Sequence, residues 1–324
     1  MPTERGSARL FLVGLAVLAV VVAVGVMTFR GGGPLFDSEG CSAEVGGVVV
    51  ELSTEQAENA TIIAAVGVRR GLPARAVSIA LATAYQESKI ENLDHGDRDS
   101  LGLFQQRPSM GWGTSEQVKD PFYATNKFYD ELVEIDGYQE MRITEAAQQV
   151  QRSGFPEAYE DHAADARALA SALTGYSPGQ FTCVVQHPDG HTVAEDLAKN
   201  GLTPGANQAR RDLAKSFGDL ALGGFAPGGV STGHSEGSAH YEGRAIDIFV
   251  RPINDANNRM GWARAHYLVA HADRLLIDTV IFDNRIWTAG SRSEAGWRDY
   301  DAGSGSGDQA ILEHRDHVHV DVVE

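Results

Sequence analysis

The segment Ser238-Ala-His-Tyr-Glu-Gly-Arg-Ala-Ile-Asp247 holds a histidine and an aspartate, His240 and Asp247, with Gly243 and the small Ala245 between them. The residues before it, Gly233-His-Ser-Glu-Gly-Ser238, read as a polar, flexible loop. The residues after it, Ala245-Ile-Asp-Ile-Phe-Val250, read as a buried strand. His240 is therefore expected on a loop and Asp247 on the strand that it feeds. Gly243 allows the chain to turn between them. An imidazole and a carboxylate make up two of the three protein ligands of a catalytic zinc site.

A third ligand is expected at the far end of the chain, in His314-Arg-Asp-His317-Val-His319-Val-Asp-Val322. Strand residues two apart share a face. His317 and His319 then point one way, and Val318, Val320 and Val322 point to the core. One histidine can hold a metal while the other moves a proton or stabilises an oxyanion. Asp316 falls on the valine face, so parity favours His317 as the acid/base; Asp316 and His314 stay open as alternatives.

These two segments resemble the zinc peptidases that include D-Ala-D-Ala carboxypeptidases and L-alanyl-D-glutamate endopeptidases, related in fold to the hedgehog signalling domain. The pattern Ser-x-His-x-x-Gly-x-Ala-x-Asp is matched at Ser238, His240, Gly243, Ala245 and Asp247, and His-x-x-His-x-His at His314, His317 and His319. The resemblance implies Zn2+ on His240, Asp247 and His319, with His317 as catalytic partner. Branches with Glu-x-x-His would put Asp316 at the acidic position. Carboxypeptidase branches often carry an upstream arginine for the substrate carboxylate. Here that region reads Leu222-Gly-Gly-Phe-Ala-Pro-Gly-Gly229, which favours an endopeptidase or another amide substrate.

Upstream, Ser53-Thr-Glu-Gln56 has the form of a capping box. Apolar residues at three- and four-residue spacing mark helices over 57–68 and 74–85, and further helices follow over 145–151 and 156–173. An all-α domain of about six helices is expected by that periodicity. Glu87 ends an apolar helix, where partial desolvation would raise its pKa, as a glycosidase general acid requires. Glu87-Ser88 followed by Gly102-Leu-Phe-Gln105 resembles the soluble lytic transglycosylases and goose-type lysozymes. That resemblance implies Glu87 as the catalytic acid/base, with Gln105 and Tyr159 lining a glycan cleft. The segment Val150-Gln-Arg-Ser-Gly154 departs from that family's Ala-Tyr-Asn-Ala-Gly. The polar run Asp94–Asp99 reads as a solvated loop.

The chain has 324 residues, 43% of them hydrophobic, and a formal charge of −17. That charge argues against nucleic-acid binding and against adhesion to anionic wall polymers. Residues 10–29 form an uncharged apolar run preceded by Arg5 and Arg9. It is long enough to span a bilayer and predicts an uncleaved signal anchor, with the rest of the chain outside the cell. Cys41 and Cys183 are the two cysteines. They bracket the helical region, and export permits a structural disulfide.

The expected organisation is a cytoplasmic tail (1–9), a transmembrane helix (10–29), a tether (30–50), a lysozyme-like all-α domain (51–175) and a linker (176–204). A peptidase-like α+β domain with a mainly antiparallel sheet (205–324) ends the chain. The expected protein is a single-pass, membrane-anchored peptidoglycan hydrolase. The alternative is a cell-wall-binding or scaffold protein that keeps both folds with one or both sites idle.

Overall fold

Val48-Val-Val-Glu-Leu52 is rich in β-branched valine, which favours strand over tether. In the computed structural model, which describes residues 39–186, 196–303 and 307–323, it pairs as strand β2 (Val48–Leu52) with β1 (Gly40–Val45). β1 also pairs antiparallel with β3 (Phe181–Val184), giving the order β2-β1-β3. The strands come from segments expected as tether (30–50) and linker (176–204), so the helices expected over 51–175 are joined by a small antiparallel sheet and the first half is not all-α. The register sets Cys41 opposite Cys183, and the two form a disulfide.

The helices follow the apolar periodicity. Helix α1 (Thr54–Arg69) starts at Ser53, whose hydroxyl accepts from Gln56 N while the Gln56 side chain accepts from Ser53 N. Helix α2 (Ala74–Ser88) ends where Lys89 turns left-handed. Helices α3 (Ser115–Val118), α4 (Pro121–Val133), α5 (Ile143–Gln151) and α6 (Ala163–Leu173) complete this half. Alanines on α1, α2 and α6 are buried, which lets these helices pack closely.

The second half begins with α7 (Pro204–Phe217) and carries a six-stranded sheet, order β4-β5-β9-β6-β7-β8. Its strands are β4 (Leu222–Gly223), β5 (Ala245–Phe249), β6 (Ile277–Phe282), β7 (Arg285–Thr288), β8 (Arg298–Asp299) and β9 (His317–Val322), and every neighbouring pair is antiparallel. Helix α8 (Asp255–Ala270) and the short α9 (Ala272–Leu275) and α10 (Gln309–Leu312) complete it.

Glu39–Glu324 is one compact unit. Its two halves share polar ties. The Trp287 and Trp297 indoles donate to the carbonyls of Cys183 and Phe181 at 3.1 and 2.8 Å. His266 on α8 donates to Ala172 O at 2.9 Å. His271 reaches Thr61 on α1, and Arg274 donates to Glu58. The two tryptophans thus join the halves, and His266 and His271 are buried.

The single-pass anchor is also corrected. No helix among the described residues is long and apolar enough to cross a membrane. The span expected over 10–29 lies outside the described residues.

The disulfide closes a loop of 142 residues. In the chain-entropy picture such a bridge contributes about 4–5 kcal/mol. Replacing Cys41 and Cys183 with serine should therefore lower the unfolding free energy, read from denaturant titration, by an amount of that order. A double variant as stable as the parent would show that sheet pairing alone holds β1 to β3.

Candidate functional site

His240 sits on a short 3-10 turn, Ala239–Glu242, that opens at Ser238 and closes at Gly243 with φ of 72°. The Ser238 hydroxyl accepts from His240 N. Gly243 therefore makes the turn that its position in the sequence suggested. Asp247 lies mid-strand on β5, directly opposite His319 on β9. Val318, Val320 and Val322 fill the other face of β9 and are fully buried. This is the face division that alternation predicts.

The three expected donors converge. His240 Nε2 lies 3.1 Å from His319 Nδ1 and 3.2 Å from Asp247 Oδ1, and His319 Nδ1 lies 3.4 Å from the same oxygen. Each imidazole is oriented from behind. His240 Nδ1 donates to Gly224 O at 2.8 Å, and His319 Nε2 donates to Asp321 Oδ2 at 3.2 Å. With both imidazoles neutral, the lone pairs of His240 Nε2 and His319 Nδ1 are thereby left on the Asp247 side, an arrangement typical of metal-binding histidines. Gly224 makes the approach possible, since a Cβ there would stand 2.3 Å from His240 Cε1.

The electrostatics ask for a cation. Burial works against the Asp247 carboxylate, yet hydrogen bonds from His240 and His319 hold its pKa far below the usual range. Burial also works against a charged His319, but Asp247 and Asp321 raise its pKa to about 9. Two nitrogens and an oxygen at these separations match a tetrahedral shell. Bonds of about 2.0–2.1 Å to a central ion place neighbouring donors about 3.3–3.4 Å apart. The residues present therefore fit a divalent metal.

His317 shares the cavity face, with Nε2 3.7 Å from Asp247 Oδ1. Its Nδ1 donates to Asp316 Oδ1 at 2.7 Å, and Arg251 Nε donates to Asp316 Oδ2 at 2.7 Å. Burial would raise the Asp316 pKa, but His317 and Arg251 bring it below the usual value. Asp316 thus stands behind His317. His314 packs against His317 with ring centroids 4.6 Å apart. Burial, and then the neighbouring His317 and His319, push the His314 pKa down to about 3.

A cavity of about 870 Å³ opens over these groups, lined among others by His234, Phe249, Arg251, His314 and Tyr300. Two of its residues were missed in the sequence. Arg251 continues the two-residue period from Asp247 through Phe249, so parity alone could have placed it here. His234 has no partner at a recognisable spacing, yet its ring stacks on His240 at 3.8 Å. His234, His240 and Asp247 have ligand atoms all within 4.8 Å of one another.

The second candidate centre surrounds Glu87. Burial raises its carboxyl pKa, and hydrogen bonds from Tyr159 and Gln151 pull it part of the way back. The Tyr159 hydroxyl donates to Glu87 Oε1 at 2.7 Å. Tyr159 is itself buried, so it positions the carboxyl from behind and does not line a cleft, which corrects the expected substrate-binding role. Ser88 donates to Leu103 O at 2.7 Å and Gln151 to Phe104 O at 2.8 Å. These bonds pin the Gly102–Gln105 turn beside the glutamate. Gln105 folds back instead of extending, its amide donating to Gly102 O and His95 O at 3.3 Å each. In the polar run, Asp94 pairs with His95 and Asp99 with Arg107 and Ser109.

Gly224→Ala should cost the protein its metal affinity with little effect on the far helices. Its φ of +80° and the 2.3 Å approach both forbid a Cβ. Competition titration with a chromogenic chelator would measure the loss; unchanged affinity would contradict this geometry. A pH dependence follows from His319. Its folded-state pKa of about 9 exceeds its ordinary value of 6.5. The protonated form therefore stabilises the metal-free fold below about pH 6.5, and that stability is lost as pH rises through about 9. Metal binding requires the neutral imidazole, so affinity should climb over the same window. Denaturant midpoints of chelated protein and metal titrations across pH 6–9.5 would check both signs.

Comparison with known proteins adds one finding. Residues 198–311 are similar to the family described as VldE, C-terminal domain. The match takes in His234, His240 and Asp247 and ends before His314, His317 and His319. No curated protein matches the chain.

Proposed function

We propose that this protein hydrolyses peptidoglycan, cutting stem-peptide amides at a zinc centre on His240, Asp247 and His319 and glycan strands at Glu87. The observation that carries the reading is the triangle of donors 3.1–3.4 Å apart with a third histidine on the same strand face. A nitrogen, nitrogen, oxygen donor set with room beside it suits zinc in a catalytic role. Zinc held there would act as a Lewis acid on the scissile carbonyl and would acidify water.

The side chains do the rest. Asp316 accepts the His317 Nδ1 proton, so His317 presents Nε2 to the cavity. From that position it takes a proton from the attacking water and returns it to the leaving amine, or holds the developing oxyanion. Arg251 anchors Asp316 and keeps its guanidinium half exposed on the cavity wall. That guanidinium supplies a cation for a substrate carboxylate, a role for which the upstream Leu222–Gly229 segment offers no residue.

Glu87 supports the glycan half of the reading. A half-buried carboxyl with a raised pKa can protonate the leaving glycosidic oxygen. The resulting carboxylate then takes a proton from the sugar's own hydroxyl, which closes on the anomeric carbon. One glutamate suffices for both steps. Amide and glycosidic cleavage read from separate halves of one compact unit meet on a single polymer, the peptide-linked glycan of the cell wall.

The test is digestion of whole sacculi by the zinc-loaded protein, with and without chelator, followed by mass spectrometry of the released fragments. New peptide termini should appear and vanish with chelator, and anhydro-muramyl ends should persist. His240→Ala should abolish the first and Glu87→Gln the second. His317→Ala should keep the metal while lowering peptide release by roughly 10²–10⁴-fold, the usual worth of a positioned acid/base. Folded, zinc-loaded protein that releases neither product would sink the hydrolase reading and leave a wall-binding module.

A further inference from the structure

His234 stands on the glycine-punctuated loop between β4 and the His240 turn. Its backbone is held on both sides by one side chain. His234 N donates to the Tyr241 hydroxyl at 3.1 Å, and that hydroxyl donates to His234 O at 2.5 Å. The imidazole lies flat on His240, ring centroids 3.8 Å apart and planes 24° apart. Its ligand atom falls within 4.8 Å of those of His240 and Asp247.

We propose that His234 is a fourth, movable protein ligand that closes the metal centre when substrate is absent. The inference rests on the His240, Asp247 and His319 centre proposed above. Those three donors already stand about a tetrahedral edge apart. His234 has a looser limit, 4.8 Å, so a shift of the imidazole towards the three donors would complete the shell. Gly233 and Gly237, at φ of 96° and 75°, bracket it with backbone that can take up that shift. The Tyr241 clamp holds the loop near the centre without holding the imidazole itself. A shell of four protein donors is closed, whereas a catalytic one keeps a position free. Substrate entering the cavity, which His234 lines, would displace the imidazole and open that position.

The full-length protein loaded with one equivalent of Zn2+ tests this by X-ray absorption at the zinc edge and by competition titration. Three imidazoles per zinc are expected in the parent and two in His234→Ala, with affinity weaker by about tenfold or more, at least the cost of losing an outer-shell partner. His234→Gln should match the alanine variant, and circular dichroism would show that both fold. Two imidazoles in the parent, unchanged in both variants, would overturn His234 as a ligand and leave the three-donor centre standing. Zinc binding that survives His240→Ala, or is absent from the parent, would instead overturn the centre itself and the proposed function with it.

Discussion

Everything at the candidate metal site depends on the register between β5 and β9. Ile246 faces Val320 and Ile248 faces Val318, all four buried on the core side. Asp247 and His319 are the pair between them on the opposite face. A slip of either strand by one residue would send its donor into the apolar core and bring its isoleucines or valines to the cavity, which burial energetics disfavour. Hydrophobic packing thus does the aligning, and the donors are carried into place. The register on one side constrains chemistry on the other: a carboxylate and an imidazole brought so close need a shared positive charge.

The rest of the unit keeps that sheet from moving relative to its helices. Cys183 is at once the disulfide partner of Cys41, a member of β3 and, through its carbonyl, the acceptor for Trp287 on β7. One position therefore fixes the helical half to the sheet that bears the donors. Beneath α8, Tyr267 and Arg274 converge on Asp212, and Arg274 also reaches His271 and Glu58. Burial first, and then the Arg274 charge, lower the His271 pKa to about 3. The imidazole stays neutral there, donating to Thr61 while accepting from Arg274. Such a network is worth having only when each member is satisfied, and it ties α1, α7 and α9 together at a junction built from both halves.

The helices and the donor strands were legible because each has one strong period. The α1 cap, the valine alternation of β9 and the turn at Gly243 are local signals, and the structure keeps all three. The β1–β2 hairpin was legible in principle from the Gly46-Gly47 turn between two short runs, but β3 was not, since it pairs with β1 from 142 residues away. Arg251 was legible in principle, by the alternation that places Asp247, but it lies beyond the expected strand. His234 gave no signal: a loop residue reaches a site through the path of its loop, which no periodicity encodes. Tyr159 was noticed for its type but not for its direction. A phenol at a given spacing says nothing about whether it faces a ligand or a neighbouring carboxyl.

The two acidic residues at the heart of the candidate centres show how environment divides one chemistry into two. Asp247 and Glu87 both lose much of their hydration, and burial alone would protonate both. Asp247 escapes because two imidazoles, His240 and His319, hydrogen-bond to it. Glu87 has only a phenol and an amide, Tyr159 and Gln151. These neutral donors soften the cost of ionisation without cancelling it. One carboxyl is therefore held as an anion fit to bind a cation. The other is biased toward an acid fit to give up a proton. Titratable groups whose surroundings push them in opposite directions are the usual mark of assigned chemical roles. Here that separation arises within one compact unit, from nothing more than which neighbours the fold supplies.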